Sequence, residues 1–320
     1  MRARLALATV LTAAALPAAA GDLPLSQPID CTLGDTCFIQ QFVDTDPGPG
    51  ARDFTCGPLS YDGHKGTDFG LPSLAAMRAG VDVLAASPGT VIGRRGDMPD
   101  TGWSKAFAGK DCGNGVVIDH GGGWQTQYCH LKQGSVTVQS GQRVAMGQVL
   151  GQVGFSGRTQ FPHLHLSVRK DGKVVDPFDP DGRITCGTPD ENTLWLTPPD
   201  YAPGGLLGAG FADRVPEYDA IKDGTAHSPA LPGNTGAVVL WGYAFGARAG
   251  DVMRLTILAP DGSPFFAHDT TIDAPKAQLF RAAGKRLRTA PAPGTYTGTA
   301  TLLRGGSVID SVTAELRIGG

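Results

Sequence analysis

The sequence predicts an all-β protein, in which an antiparallel β-sheet domain is followed by an immunoglobulin-like β-sandwich. Glycine and proline are abundant, at 46 and 24 of 320 residues, which favours short strands joined by turns. Apolar and polar residues alternate over short segments that end at glycine or proline. Almost nowhere does the apolar pattern repeat every 3.6 residues, as an amphipathic helix requires. The length suits two domains.

Residues 1–20 have the features of a secretory signal peptide. Arg2 and Arg4 precede an apolar run, and the segment ends in alanines, with cleavage expected after Ala20. Cleavage removes two arginines and no acid, so the net charge changes from −3 to −5. The mature chain then has no dense basic run for nucleic-acid binding and no apolar stretch of transmembrane length. We therefore expect an exported protein, periplasmic or extracellular.

Residues 21–55 are a polar, turn-rich N-terminal arm. Cys31 and Cys37 bracket a tight turn in it and are expected to pin the arm to the following domain. The Asp-rich stretch at residues 44–50 lacks the spacing of an EF-hand, which favours a solvated loop over a calcium site. The sequence leaves open whether the arm covers a binding groove as an inhibitory segment.

The domain predicted for residues 56–195 is a succession of short strands and turns. The predicted strands fall within residues 81–92, 116–120, 124–130, 136–144, 148–154, 161–168 and 174–177. Hairpin turns are expected at residues 121–123 and 171–172, and residues 94–111 are expected to be an inserted polar loop. In the second strand of the first hairpin, Trp124, Thr126, Tyr128 and His130 are predicted to share one face.

Six cysteines remain after signal cleavage, which in an exported chain predicts three disulfides with 15 conceivable pairings. None of the six forms a C-x-x-C motif, which disfavours a zinc ribbon. Cys112 lies just before the first strand of the predicted hairpin and Cys129 near the end of the second. The two are therefore almost opposite each other, and Cys112–Cys129 is the pairing that we predict.

The strand at residues 161–168 carries two histidines. His163 and His165 point to the same face, whereas Leu164 and Leu166 point to the other. Neutral imidazole is a good ligand of Zn²⁺, although an H-x-H pair is by itself weak evidence for a metal site.

A glycine-flanked segment contributes His64 and Asp68, spaced H-x-x-x-D. In an extended chain residues i and i+4 lie on the same side, so the imidazole and the carboxylate can converge. The neighbouring glycines permit a close backbone approach. Taken alone, the pair is more typical of a surface histidine beside a turn-forming aspartate.

Three motifs taken together resemble those of the lysostaphin-like (LytM-domain) zinc endopeptidases: His64-Lys-Gly-Thr-Asp68, Tyr128-Cys-His130 and His163-Leu-His165. The resemblance covers about residues 57–180 and includes the glycine-rich strands between the motifs. It implies a LytM-type antiparallel sheet that binds one zinc ion through His64, Asp68 and His165. His130 and His163 would then be the catalytic residues that face water and substrate.

This residue set suits the implied chemistry. Three protein ligands leave a fourth position of tetrahedral zinc open, as a catalytic site requires. Zinc lowers the pKa of water toward about 7 and polarises a carbonyl group. His130 and His163 can exchange protons near neutral pH, so that one acts as a general base while the other stabilises the oxyanion. The sequence does not decide which does which.

The family's usual substrate is the peptide cross-link of bacterial peptidoglycan. The resemblance thus implies a secreted zinc metalloendopeptidase that acts on peptidoglycan stem peptides. One alternative is a catalytically silent LytM-type regulator or binding module of cell-wall hydrolases, against which the retention of all five site positions argues. Another is an endopeptidase that cleaves proteins. The loop at 94–111 and the cysteines depart from the family pattern and leave the substrate preference open.

A linker rich in proline and glycine is predicted for residues 196–206. Residues 207–320 then contain short strands separated by turns, including a hairpin around Gly305-Gly306, and predict the β-sandwich. His227 and His268 lie there without partners for catalysis, and we interpret both as surface or structural residues. The sandwich is expected to be an accessory module with a cell-wall or protein partner.

Overall fold

The computed structural model describes residues 23–183, 186 and 192–319. The predicted signal peptide lies outside these residues. Strands dominate, which confirms the all-β prediction. Two six-residue helices, α1 (Leu74–Ala79) and α2 (Tyr218–Asp223), were not predicted, because so short a segment shows no helical periodicity. Neither helix has the length and apolar character needed to cross a bilayer, and no other helix in the described ranges does.

In the described part of the N-terminal half there are ten strands. They are β1 (Phe38–Gln41), β2 (Thr67–Gly70), β3 (Asp82–Leu84), β4 (Gly89–Arg95), β5 (Asn114–Gly121), β6 (Trp124–Leu131), β7 (Arg143–Val144), β8 (Val149–Gln152), β9 (His163–Lys170) and β10 (Lys173–Val175). The main sheet is antiparallel, in the order β1-β2-β9-β6-β5-β4-β7, with β10 also paired to β9. Strands β3 and β8 form a separate pair.

The two hairpins predicted before the linker are confirmed as β5–β6 and β9–β10. The strand predicted for residues 136–144 is largely wrong, since only Arg143–Val144 is a strand. Residues 136–140 lie beside β8 but are joined to it through single contacts such as the hydrogen bond from the Thr137 N–H to the Leu150 carbonyl (3.0 Å). The segment after β4 is irregular, as predicted, apart from a single 3-10 turn at Lys105–Phe107.

The main sheet has one apolar and one polar face. Along β9, Leu164, Leu166 and Val168 are buried in a hydrophobic core that also contains Phe69 and Tyr128. The alternate positions of β9 begin with His163 and His165. The period-two alternation of a strand thus places the histidines on the face opposite the core.

The N-terminal arm is part of this sheet. Its strand β1 pairs with β2 at the edge of the sheet, with Gln41 beside Asp68. Cys31 and Cys37 are bonded to each other, so this disulfide closes a loop within the arm and does not fasten the arm to the domain, contrary to our expectation. The long-range link is Cys56–Cys186, just after the arm. The predicted pair Cys112–Cys129 is confirmed.

Eight strands form the C-terminal half. They are β11 (Gly205–Ala212), β12 (Ala230–Leu231), β13 (Ala237–Ala247), β14 (Val252–Leu258), β15 (Pro264–Thr271), β16 (Lys276–Arg286), β17 (Gly294–Arg304) and β18 (Ser307–Ile318). One sheet has the order β11-β13-β16 and the other β12-β18-β17-β14-β15. A second hydrophobic core includes Phe211 and Leu240 from the first sheet and Leu255 and Tyr296 from the second. The immunoglobulin-like character of this half stays a prediction.

The two halves are in contact. The rings of Phe38 and Phe245 lie 4.6 Å apart, and the side-chain amide of Gln40 donates to the Ala277 carbonyl (2.9 Å). The predicted linker packs as well, since the ring of Tyr201 lies 5.4 Å from that of Phe42.

Candidate active site

Two neighbouring strands bring the sequence-predicted metal ligands together. Asp68 on β2 pairs directly with His165 on β9, so their side chains project from the same face of the sheet. His64 lies in the turn before β2, four residues ahead of Asp68. These three residues form a cluster whose ligand atoms all lie within 4.8 Å of one another. The convergence expected from the H-x-x-x-D spacing is therefore present.

Two of the three distances inside the cluster are close to those of a tetrahedral zinc site. His64 Nε2 lies 3.2 Å from Asp68 Oδ2 and 3.2 Å from His165 Nδ1, and His165 Nδ1 lies 2.7 Å from Asp68 Oδ1. With zinc–ligand bonds of about 2.0–2.1 Å, two ligands of a tetrahedron are separated by roughly 3.3–3.4 Å. The side chains thus need little adjustment to hold such an ion.

Hydrogen bonds determine which ring nitrogen of each ligand histidine carries a proton. His64 Nδ1 lies 2.7 Å from the Phe42 carbonyl, which can only accept, so Nδ1 is a donor, and in the neutral ring Nε2 carries the lone pair. His165 Nε2 lies 3.3 Å from the Ser167 hydroxyl, which itself donates to the Lys65 carbonyl. With a cation in the cluster, His165 Nε2 would donate to the Ser167 hydroxyl and Nδ1 would present its lone pair; without one, Nδ1 donates to Asp68 Oδ1 at 2.7 Å. Lone pairs and a carboxylate directed at one point are the donor set of a cation site.

The buried charge of Asp68 is stabilised by the same histidines. Burial by itself would raise the pKa of Asp68, but His64 and His163 hold it well below its usual value. Burial by itself would lower the pKa of His64. The nearby Asp68 carboxylate outweighs this effect, so the pKa of His64 is raised. Asp68 is therefore a carboxylate throughout the physiological range, as metal binding requires.

Glycine makes room for this arrangement. A Cβ atom at Gly66 would lie 2.5 Å from the Leu166 carbonyl and 2.6 Å from His165 Nε2. The loop between His64 and Asp68 can lie against β9 because this residue has no side chain.

His163 and His130 lie beside the cluster and are both buried. Their ring centroids are 4.6 Å apart, and His163 Nε2 is 3.5 Å from Asp68 Oδ1. His163 Nδ1 donates to the Phe161 carbonyl (2.9 Å) and His130 Nδ1 to the Ser156 carbonyl (2.8 Å). Burial is the main cause that lowers the pKa of each residue, and for His130 the lowering is large. Both are therefore neutral imidazoles at neutral pH, with Nε2 free to accept a proton.

His130 reaches the site through a β-bulge, and here the sequence prediction is wrong. Tyr128, expected on the same face as His130, points into the core, where its hydroxyl accepts from the Ala86 N–H. Cys129 pairs with His165 and thus belongs to the site face. The register between β5 and β6 shifts at this point, and His130 has a φ of 65°. By simple alternation His130 would point to the core face, because Cys129 points to the site face. The extra residue of the bulge turns His130 to the site face as well.

Sequence reasoning also missed the groups that orient the histidines. The carbonyls of Phe42, Phe161 and Ser156 are backbone atoms, and nothing in the residue type marks them. Thr159 Oγ1, 3.1 Å from His163 Nδ1, gives no sequence signal either. His227, in contrast, is structural as expected, with its Nδ1 accepting from the Phe211 N–H (3.1 Å).

Comparison with known proteins agrees with this geometry. The model of peptidase family M23 matches residues 62–177, a range that contains all five predicted site residues. Residues 62–177 are a peptidase family M23 domain. This M23 domain occupies about a third of the chain, so the match leaves the arm and the C-terminal half outside it.

Curated relatives share the M23 domain. The chain is 34% identical over 113 residues to peptidoglycan DD-endopeptidase ShyA of Vibrio cholerae, covering 35% of this chain and 22% of that protein. It is 34% identical over 114 residues to DD-carboxypeptidase/endopeptidase Mpg of Neisseria meningitidis, covering 36% of this chain and 22% of that protein. The chain thus spans about a fifth of the length of these relatives. Among solved structures, the catalytic domain of lysostaphin from Staphylococcus simulans is 26% identical with a TM-score of 0.28, covering 38% of this chain and 82% of that one.

Proposed function

We propose that this protein is an exported zinc metalloendopeptidase that hydrolyses peptide cross-links of bacterial peptidoglycan. The observation that carries the proposal is the cluster of His64, Asp68 and His165, whose ligand atoms converge beside two neutral histidines. Relatives of the M23 domain named as peptidoglycan DD-endopeptidases support the substrate class. The predicted signal peptide and the three disulfides support export.

In this proposal His64, Asp68 and His165 hold one zinc ion, which when bound supplies Lewis acidity at the scissile carbonyl and at water. The other two histidines handle protons. Nε2 of His130 or His163 accepts the proton of the attacking water and later returns it to the leaving amine. The backbone carbonyls at Nδ1 keep each ring in the tautomer that this transfer needs.

The remaining parts of the chain are assigned by position. We divide the mature chain into an arm (21–55), a catalytic domain (56–195), a linker (196–206) and an accessory domain (207–320). Separate hydrophobic cores before and after the linker support the accessory domain as a unit, whereas the arm shares the first core through Leu25 and Phe42. The accessory domain is proposed to bind the cell wall or a protein partner.

Digestion of purified cross-linked muropeptides, with products assigned by mass spectrometry, tests the function. The wild-type chain should convert dimers to monomers, a chelator should stop the reaction, and added zinc should restore it. Intact dimers in the presence of zinc would refute the proposed activity, and cleavage that persists in chelator would refute the role of the metal.

A further inference from the structure

The polar face of the sheet carries a cation that the catalytic arrangement does not use. His163, His165, Ser167 and Arg169 occupy alternate positions of β9 and therefore share one face. Arg169 is only partly exposed. Its Nη2 donates to Gln127 Oε1 at 2.6 Å. Along the described ranges of the chain, no carboxylate lies within ion-pair distance of this guanidinium.

The position of Gln127 shows the direction of the guanidinium. Gln127 on β6 pairs with Ser167, which is two residues nearer to His165 than Arg169 is. Gln127 Nε2 also lies 3.5 Å from Cys112 Sγ, and Cys112 is bonded to Cys129, which pairs with His165. The Gln127 amide that Arg169 contacts is therefore directed toward the metal-ligand cluster. Since a strand rises about 3.3 Å per residue, the level of Gln127 and Ser167 is roughly 7 Å from that of His165. That distance corresponds to one or two residues of an extended peptide.

A partly buried guanidinium with a single neutral acceptor is not in its favoured environment. Burial lowers the pKa of Arg169, and no neighbouring acid counteracts this. Arginine has five donors in a planar fork that fits a carboxylate through two parallel hydrogen bonds. Gln127 uses one of these donors, which leaves the fork open on the site face.

We propose that Arg169 binds a free carboxylate of the substrate, one or two residues from the scissile bond. This inference rests on the proposed endopeptidase function and adds a determinant of specificity to it. It predicts a preference for cross-linked peptides that are acidic next to the cut over peptides in which that carboxylate is amidated.

A pair of synthetic cross-linked peptides tests the inference: they differ only in a free carboxylate or a carboxamide beside the cleaved bond. The wild-type chain should cleave the free acid with a kcat/KM about ten- to hundred-fold higher, the range for a charge-assisted hydrogen bond pair. Arg169→Gln should abolish this preference, because it should slow cleavage of the free-acid peptide and leave cleavage of the amide peptide unchanged. Arg169→Lys should keep part of it, since lysine has the charge without the fork.

Lys173→Gln is the matched control, because Lys173 is an exposed cation that pairs with Lys170 and so lies on the opposite face of the sheet. It should preserve the preference of the wild type. If Arg169→Gln slows both peptides equally, the residue is merely structural and the inference fails. If the wild type cleaves both equally well, the inference fails while the endopeptidase function stands. If muropeptides and both peptides stay intact, the function fails and the inference with it.

Discussion

At the residue scale, each histidine of the site is oriented by an acceptor on its far side. His64, His130 and His163 donate Nδ1–H to the carbonyls of Phe42, Ser156 and Phe161. Such outer partners fix the tautomer and the ring plane of a metal ligand. The site is therefore preorganised, and substitutions at individual residues should separate metal binding from catalysis.

We expect Asp68→Ala to abolish zinc retention, because it removes one of three ligands and the charge that the buried histidines face. His163→Ala should leave zinc bound but lower kcat by about 10²–10⁴-fold, the range for a general acid–base group. Metal content measured by elemental analysis after dialysis, together with muropeptide turnover, checks both. A His163→Ala protein of normal rate would contradict the role that we assign to this residue.

A second residue-scale prediction concerns Asp176, whose buried carboxyl accepts the Phe178 N–H through Oδ1 (2.9 Å). Among the described residues Oδ2 has no hydrogen-bond partner. Burial, with a contribution from Asp179 and Asp53, raises the pKa of Asp176 to about 7. The folded state thus keeps a proton that the unfolded chain loses near pH 4. The free energy of unfolding should fall by at most about 4 kcal/mol as the pH rises from about 4 to about 7.

Asp176→Asn removes this titration while its amide oxygen can still accept the Phe178 N–H. The stability of the variant relative to the wild type should increase as the pH rises from 5 to 8. Urea unfolding at the two pH values measures the gain. A stability difference that does not change with pH would show that the raised pKa is wrong.

At the element scale, the bulge in β6 decides whether His130 belongs to the site. The His130 N–H donates to the Cys112 carbonyl (2.8 Å), and Cys112 is bonded to the adjacent Cys129. A residue other than glycine at positive φ is unfavourable and needs its surroundings to hold it. The disulfide fixes both ends of this hydrogen bond and so supports the bulge.

We therefore expect the double variant Cys112→Ser, Cys129→Ser to be less stable and, in addition, to be less active even when it is folded. A disulfide closing a loop of this length contributes about 3 kcal/mol. At temperatures where the variant is still folded, kcat should fall by at least about ten-fold, because His130 loses its orientation. Turnover and circular dichroism on the same sample separate the two effects.

Cys31→Ser, Cys37→Ser is the control for this prediction, since it removes a disulfide from a loop in the arm. It should lower the melting temperature and leave kcat of the folded protein unchanged. Equal kcat values for the two double variants would argue against the link between the disulfide and His130.

At the scale of the whole molecule, the arm connects the catalytic sheet to the C-terminal half. Strand β1 pairs with β2, while its Phe38 ring contacts Phe245 and its Gln40 contacts Ala277. The next residue after β1, Phe42, supplies the carbonyl that orients His64. In the structure the arm thus contributes an edge strand and the carbonyl behind His64 in the cluster of His64, Asp68 and His165.

Phe245→Ala should lower the free energy of unfolding by about 3–5 kcal/mol, the range for a buried phenylalanine. Phe245 is 4% exposed and lies where the two halves meet. Arg78→Ala removes an exposed ion pair with Asp223 across the same interface and should leave the urea midpoint almost unchanged. Similar midpoints for the two variants would contradict the view that apolar packing holds the halves together.

Features that depend on residues close together in the chain could be predicted from the sequence. Period-two alternation placed His163 and His165 on one face, the i and i+4 spacing allowed His64 to meet Asp68, and opposed hairpin positions paired Cys112 with Cys129. These results depend on distances of a few residues along the chain, which backbone geometry fixes in advance.

Other features of the site became visible only in the folded chain. The bulge at His130, the direct pairing of Asp68 with His165, and the Phe42 carbonyl behind His64 all depend on segments far apart in sequence. Backbone carbonyls are the same in every residue, so no residue type marks those that serve the site. A bulge forms where the side-chain packing on both faces of the sheet compensates for the interrupted strand pairing. That compensation exists only once the whole sheet has formed.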